Sequence, residues 1–316
     1  MLQLIFGIIG GTTLLLYGIE ILSRNLEKAL GNYLKRLLGV FSGNVYSSFF
    51  LGLLVTCLVQ SSTAVTLLTV GLVNSGIMGL SQALGIIYGA NIGTTMTGQL
   101  MSLGYRFRLT DIALPILALG FFIDSLGRGR RSSYLGQSLM GFGLLFLGLR
   151  ILNDGIPYIQ RSQLLRLFFT QQASNPLVGI LLGLVTTALV HSSSATVGIL
   201  IVLGQSQLIS LQTAIYIILG DNIGTSITAH LSSISGSING KRVAWAHSFY
   251  NIFGAIMVLF FMPQFTRAVI YITEDILQSR DISSYIANSH SLFNLANALV
   301  FLPMTKYYER FLNWLI

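Results

Sequence analysis

Residues 54–68 read LVTCLVQSSTAVTLL, and residues 184–200 read LVTTALVHSSSATVGIL. Each holds a hydroxyl-rich knot: Gln60-Ser61-Ser62-Thr63-Ala64 in the first, His191-Ser192-Ser193-Ser194-Ala195 in the second. Each is followed by a second polar cluster. These are Gly89-Ala90-Asn91-Ile92-Gly93-Thr94-Thr95 and Gly220-Asp221-Asn222-Ile223-Gly224-Thr225-Ser226. The offset is 131 throughout, and residues 51–103 match residues 182–234 without a gap at 23 of 53 positions. Identity on that scale marks an internal duplication. The rest of the chain reads as scaffold for these four clusters.

The solvent of that scaffold follows from composition. The 316 residues are 53% hydrophobic and 9% charged, with a mean hydropathy of +0.74, whereas soluble domains carry about 25% charged residues. Too few charges remain to cover a globule in water, so the chain is read as an all-α, polytopic membrane bundle. The net charge of +8 does not point to nucleic acid. The basic residues sit in short clusters between apolar segments, as in cytoplasmic loops. The single cysteine, Cys57, excludes an internal disulfide and a Cys-rich metal site. No basic residue precedes Arg24, whereas a signal peptide carries its positive charge first. Residues 2–22 are therefore expected to be a retained span, with the basic flank 24–36 on the cytoplasmic side.

Residues 23–40 place Leu26, Leu30, Leu34, Leu37 and Leu38 at helical spacing among Lys28, Lys35 and Arg36, which predicts a separate helix on the cytoplasmic surface. Residues 46–59 and 64–73 are apolar but short. A 15-residue helix covers roughly 22 Å, less than the ~30 Å hydrocarbon core. With Gln60–Thr63 between them they predict a re-entrant hairpin with a polar tip at midplane depth, tolerable only where protein or a water-filled cavity covers it. Residues 79–103 can cross. Gly89, Asn91, Gly93, Thr94 and Thr95 in their middle predict a broken or unwound segment. Residues 109–124 and 134–152 cross again, and residues 153–175 are expected to be a polar connector with an interfacial helix through Leu164, Leu165, Leu167 and Phe168. Three crossings is an odd number, so the second hairpin, 177–205, enters from the opposite face and the duplication is an inverted repeat. Residues 211–233 mirror the broken span, 243–262 cross, 263–284 connect amphipathically and 285–304 form the last span. The result is a single transmembrane domain over 1–316, with repeat 1 at 43–125 and repeat 2, inverted, at 174–262. This orientation puts eleven Lys/Arg inside and seven outside.

Ser and Thr in membrane helices often serve only as interhelical glue. Here hydroxyl triplets recur at equivalent places, each behind a polar side chain, Gln60 or His191. Opposed hairpins would bring the tips together, and each tip exposes a helix N-terminus whose free N–H groups favour an anion. Gln60, Ser61, Ser62, Thr63, His191, Ser192, Ser193 and Ser194 are thus candidate ligands of an oxyanion, in a site built without a fixed Lys or Arg. Its counter-charge would be a cation on oxygen ligands at the two Asn-Ile-Gly-Thr clusters: Asn91, Thr94, Thr95, Asp221, Asn222, Thr225 and Ser226. Asp221 is the one carboxylate in either repeat core, with Ala90 as its counterpart, and an ionisable residue there is functional by default. Na⁺ rather than a transition metal follows from the lack of convergent His and Cys ligands. His191 is either a neutral substitute for Gln60 or a titrating group, and Glu20 either a counter-charge or interfacial. Ala244-x-x-His247-x-x-Tyr250-Asn251 and Ala287-x-x-His290-x-x-Phe293-Asn294 share a spacing that aligns His247 with Asn251 and His290 with Asn294 on one helix face. Both pairs suit interhelical hydrogen bonds or a supporting role beside the site.

The Gln-Ser-Ser-Thr tip and its second copy, the paired Asn-Ile-Gly-Thr clusters and the paired His-x-x-[Phe/Tyr]-Asn stretches resemble the type II sodium/phosphate cotransporter family in its bacterial form. Residues 136–146, GQSLMGFGLLF, also look like that family's linking helix, and the resemblance covers about residues 4–305. Gln60, Ser61 and Ser62, and Ser192 and Ser193 in the second copy, match the family's Gln-Ser-Ser motif, while His191 departs from its glutamine. The resemblance implies Na⁺-coupled movement of inorganic phosphate by alternating access in the inner (plasma) membrane, with no organic cofactor and Na⁺ as coupling ion. Many bacterial members carry a soluble PhoU-like domain after the last span; the sequence here ends at Ile316 and none is expected within it. The expected partners are phosphate, Na⁺ and the bilayer, not nucleic acid, with a homo-oligomer left open. The competing readings are a phosphate exporter, a carrier of a related oxyanion such as arsenate, a structural subunit, or an intramembrane serine-dependent enzyme. The last is disfavoured because Ser192 directly follows His191, which points the two side chains about 100° apart on a helix.

Overall fold

The computed structural model describes residues 6–41, 43–161, 163 and 167–316, and no strand occurs among them. In chain order the helices are α1 (Gly11–Phe41), α2 (Val45–Val59), α3 (Ser62–Asn74), α4 (Leu80–Arg106), α5 (Ala113–Leu126), α6 (Arg130–Arg161), α7 (Pro176–Val190), α8 (Ser193–Gln205), α9 (Leu211–Thr225), α10 (Ile227–Ser233), α11 (Ile238–Phe260), α12 (Met262–Tyr271) and α13 (Ile282–Leu315). Short π-helical turns lie at Phe6–Gly10, Phe168–Gln172 and Ile272–Ile276.

Two helix pairs share one design. Asn44 caps α2 by accepting from the Tyr46 and Ser47 N–H groups at 2.9 and 3.0 Å. Its counterpart Asn175 caps α7 through Leu177 and Val178 at 3.0 and 3.4 Å. Both helices are 15 residues long. Both end on a non-glycine residue in the left-handed region, Gln60 at φ 59° and His191 at φ 56°. A serine then caps each 13-residue second helix, Ser61 accepting from Ala64 N–H at 3.2 Å and Ser192 from Ala195 N–H at 3.3 Å.

Glycines set how each pair packs. α2 lies along α4, with Gly52 against Ile86, Gly89 against Phe49 and Gly93 against Thr56. α7 lies along α9, with Gly183 against Ile217, Gly220 against Ile180 and Gly224 against Leu184. A Cβ at any of these would overlap the facing helix, the role small residues play where backbones approach closely. The contacts run from Val45 at Gly85 to Thr56 at Gly93, and from Gly179 at Tyr216 to Leu184 at Gly224, so α2 runs parallel to α4 and α7 to α9. α3 and α8 therefore each return the chain to the end from which its pair set out. Gly85 meets Val45 near the start of α4, whereas Ser102 near its end lies 3.2 Å from the Ser283 and Ser284 hydroxyls, on the segment of α13 where Gly204 meets Ile282 and Ile286. The bases of the two pairs thus sit at opposite ends of α4.

This packing corrects the expected break in the first copy, while the second copy is interrupted within its polar cluster. α4 is one continuous 27-residue helix. Its glycines admit α2 rather than unwinding, and its polar side chains bond back to their own helix, Asn91 Nδ2 to Ile87 O at 2.9 Å and Thr95 Oγ1 to Ile92 O at 2.8 Å. In the second copy the helix is interrupted at Ser226 alone, which keeps right-handed helical torsions (φ −69°, ψ −17°). Three-residue bonds, Ser226 N to Ile223 O and Ala229 N to Ser226 O, tighten the backbone there, and the Asn222 carbonyl, left without Ser226 N as its helical donor, is taken up by side chains.

Other boundaries also shift. The expected first span and surface helix are a single 31-residue helix, α1. No Gly or Pro interrupts residues 19–30, and Asn25 Nδ2 bonds back to Ile21 O at 2.9 Å. Residues 2–5 of the expected span and the side chains of Lys35 and Arg36 lie outside the described residues. α6 continues through Pro157 to Arg161, so the expected connector begins as helix; Leu164 and Leu165 lie outside the described residues, and Leu167 leads into the π turn at Phe168. α5 has 14 residues, about 21 Å of helix, shorter than a full crossing.

The outer surface is apolar in register. Tyr46, Phe50, Leu54 and Leu58 project from α2, and Leu177, Leu181, Val185 and Leu189, each 131 residues on, project from α7; all eight are exposed. Such continuous apolar stripes do not stay bare in water. Among the described residues, two helices are long and apolar enough to cross a bilayer, Arg130–Tyr158 and Ile238–Phe260.

Candidate functional site: one cavity between two serine turns

The αL turn at Gln60 and the αL turn at His191 open into the same cavity of about 610 Å³. All eight residues expected at the oxyanion site line it: Gln60, Ser61, Ser62 and Thr63 from one turn, and His191, Ser192, Ser193 and Ser194 from the other. Their convergence has a local cause. A residue in the left-handed region ends α2 or α7 abruptly, and the Ser cap starts the next helix within two residues. The first-turn N–H groups of α3 and α8 have no intrahelical acceptors. Two positive helix ends and a set of hydroxyl donors thus meet at one place, which is the chemistry that holds an anion.

The two turns are braced differently. The Gln60 carbonyl accepts from the Ser23 hydroxyl at 2.9 Å and its Oε1 from the Thr97 hydroxyl at 2.7 Å, while its Nε2 bonds the Cys57 carbonyl. His191 makes a backbone bond to Thr187 O at 2.7 Å, and its side chain is exposed at the cavity.

The residues expected to hold a cation divide into two groups. Thr94 and Thr225, 131 residues apart, reach the cavity wall. Asn91, Thr95, Asp221, Asn222 and Ser226 lie behind it, in a buried polar layer. Asn91 Oδ1 is 3.3 Å from His247 Nε2. Asn222 Nδ2 bonds Ile218 O at 2.8 Å, and its carbonyl accepts from Asn251 Nδ2 at 2.6 Å and from Thr225 Oγ1 at 2.6 Å. The Ser226 hydroxyl donates to Ile223 O at 2.7 Å and accepts from Ser248 at 2.8 Å. Asp221 is wholly buried, with Oδ1 accepting from Thr187 at 2.8 Å and Oδ2 unpartnered. α4 is unbroken and adds no unwound carbonyl to these side chains among the described residues, whereas in the second copy the Asn222 carbonyl is released at the Ser226 interruption and is occupied by Asn251 and Thr225.

His247 and Asn251 of α11 therefore tie α4 to α9, rather than facing the cavity. His290 and Asn294 of α13 are also buried away from it. Asn294 Nδ2 bonds His290 O at 3.0 Å, and both His290 ring nitrogens lack partners.

Sequence reasoning singled out only Glu20 from one wall of the cavity. Glu20, Ser23, Arg24 and Glu27 of α1 line it beside Leu16 and Ile19. Arg24 also lines the cavity, which the sequence reading did not anticipate. The signal was present, because Leu16, Ile19, Glu20, Ser23, Arg24 and Glu27 fall on one helical stripe. It was obscured by dividing α1 at residue 23.

A family model described as Na⁺/Pi-cotransporter matches residues 14–154 and again residues 155–274. A Bacillus subtilis (strain 168) protein named "Uncharacterized protein YqeW" is 29% identical over 315 residues, 98% of each chain. An Escherichia coli (strain K12) protein named "Putative inorganic phosphate export protein YjbB" is 26% identical over 98% of this chain, which spans 55% of that relative's length. The human "Sodium-dependent phosphate transport protein 2B" is 34% identical over 38% of this chain and 19% of its own. No solved structure matches. By the match over most of its length, in two consecutive stretches that each contain one serine turn, this chain belongs to the Na⁺/Pi-cotransporter family of membrane phosphate transport proteins.

Proposed function

We propose that this protein is a multi-pass inner-membrane transporter that couples inorganic phosphate to Na⁺ by alternating access. The carrying observation is the convergence of both serine turns and both helix N-termini on one cavity. In this reading the Ser61–Thr63 and Ser192–Ser194 hydroxyls and the first-turn N–H groups hold the phosphate oxygens. The α2–α3 and α7–α8 pairs are re-entrant hairpins of an inverted repeat. Their attachment at opposite ends of α4 and their lengths of 15 and 13 residues support this, since neither arm covers ~30 Å of hydrocarbon. The matched apolar stripes on α2 and α7 suit a lipid boundary. Asp221 supplies the carboxylate of a Na⁺ site in the second half, and Thr94 and Thr225 offer hydroxyl oxygens to a cation at the cavity wall.

Purified protein in liposomes should take up radiolabelled phosphate only under an inward Na⁺ gradient. Uptake indifferent to Na⁺ would sink the coupled reading. The export named for the E. coli relative is the second reading, because a carrier runs down whichever gradient is applied. Reversing the Na⁺ gradient in the same liposomes separates a reversible symporter from a protein that releases phosphate without Na⁺.

A further inference from the structure

Among the described residues, the charged side chains that line the cavity come from α1: Arg24 is the one basic side chain there besides His191, and Glu20 and Glu27 are the carboxylates. The three lie at i, i+4 and i+7 and so share a helix face. Among the described residues none of them is held in a hydrogen bond or ion pair. α1 is fixed against both turns. The Ser23 hydroxyl, next to Arg24, donates to the Gln60 carbonyl at 2.9 Å, and on the α8 side a Cβ at Gly198 would stand 3.1 Å from Leu15 Cδ2. The charged face is therefore a built part of the site. Glu20 and Arg24 are exposed and Glu27 is half-buried, so the three are solvated in the open cavity and free to take up ions that enter it. An anion arriving alone would also meet two carboxylates and one guanidinium, a net repulsion unless a cation accompanies it.

We propose that α1 is the charge-selecting wall of this transporter: the Arg24 guanidinium takes the oxyanion at the cavity, and Glu20 and Glu27 hold the cation that enters with it. This rests on reading the cavity as the phosphate path. A planar guanidinium offers paired donors that match a tetrahedral oxyanion's edge, whereas the serine turns offer neutral donors only. Arg24 thus adds preference for charge to the shape recognition supplied by the turns, and the carboxylates make anion capture depend on the cation.

The test uses the full chain in liposomes and in detergent. In liposomes, Arg24→Gln should raise the phosphate KM about tenfold, the loss of one charge-assisted contact, while the half-saturating Na⁺ concentration stays within about twofold. Arg24→Lys should recover most of the loss. The double variant Glu20→Gln/Glu27→Gln should do the converse, raising half-saturating Na⁺ with a smaller change in phosphate KM at saturating Na⁺. Phosphate binding to detergent-purified protein, read by calorimetry, gives the same comparison without transport. An Arg24→Gln protein with unchanged phosphate KM and affinity overturns the proposal, as does Arg24→Lys behaving like Arg24→Gln. Wild-type protein that binds phosphate through Arg24 but shows no Na⁺-driven uptake overturns the coupled-transport reading and leaves the role of Arg24 standing. Wild-type protein with neither binding nor uptake overturns both.

Discussion

The Thr187 hydroxyl donates to Asp221 Oδ1 at 2.8 Å and lies 2.8 Å from the Thr196 hydroxyl, joining α7, α8 and α9 in one buried polar clasp. In the first copy the same three positions are Thr56, Val65 and Ala90, and the Thr56 hydroxyl is buried without a partner. The duplication thus kept the packing and made the polar interior of the second half its own. A carboxylate wholly out of water, with one oxygen unpartnered, is costly unless a cation or proton completes it.

Replacing Asp221 tests that asymmetry. Asp221→Asn should lower the steepness of Na⁺ dependence and reduce the charge moved per phosphate, read as current and tracer flux in the same liposomes. Unchanged Na⁺ dependence and current would remove Asp221 from the coupling site.

The two threonines provide a matched stability contrast. Thr187→Val leaves Asp221 Oδ1 without its donor and should cost about 1–2 kcal/mol, typical of a lost buried hydrogen bond in a membrane bundle. Thr56→Val removes a hydroxyl with no partner and should be neutral or slightly stabilising. Thermal unfolding in detergent reads both; equal destabilisation would contradict the clasp.

Each turn's hydroxyls are open to single-atom deletion. Ser62→Ala and Ser193→Ala should each raise the phosphate KM about fivefold, with little effect on unfolding temperature, because a net hydrogen bond contributes about 1 kcal/mol. If both variants bind and transport phosphate like wild type, the serine turns are helix glue rather than ligands.

Glycine spacing can be probed by contrast as well. A Cβ at Gly220 would overlap the Ile180 backbone, whereas Gly71 on α3 has open space around it. Gly220→Ala should destabilise by about 1–3 kcal/mol through overpacking. Gly71→Ala should be neutral or stabilise by about 0.4–1 kcal/mol, through restriction of the unfolded chain. Chemical or thermal unfolding of the two variants decides between them.

The sequence by itself determined the duplication, the four polar clusters and the ends of α2, α3, α7 and α8. Those ends were legible because caps and turns act within a few residues: Asn44, Ser61, Asn175 and Ser192 each satisfy N–H groups two or three positions away. The eight turn residues could be grouped for the same reason, since a two-residue turn leaves them little freedom. The fate of the Asn-Ile-Gly-Thr clusters belonged to tertiary structure. Gly89 and Gly93 are as suited to unwinding as to admitting another backbone, and the choice fell to α2, whose approach rewards a continuous α4 with close contact. What α1 packs against was likewise settled at a distance: Ser23 sits mid-helix with its hydroxyl on Gln60, 37 residues away. That long-range bond places Glu20, Arg24 and Glu27 at the cavity. Helical periodicity can say that such residues share a face, but only packing says what the face meets.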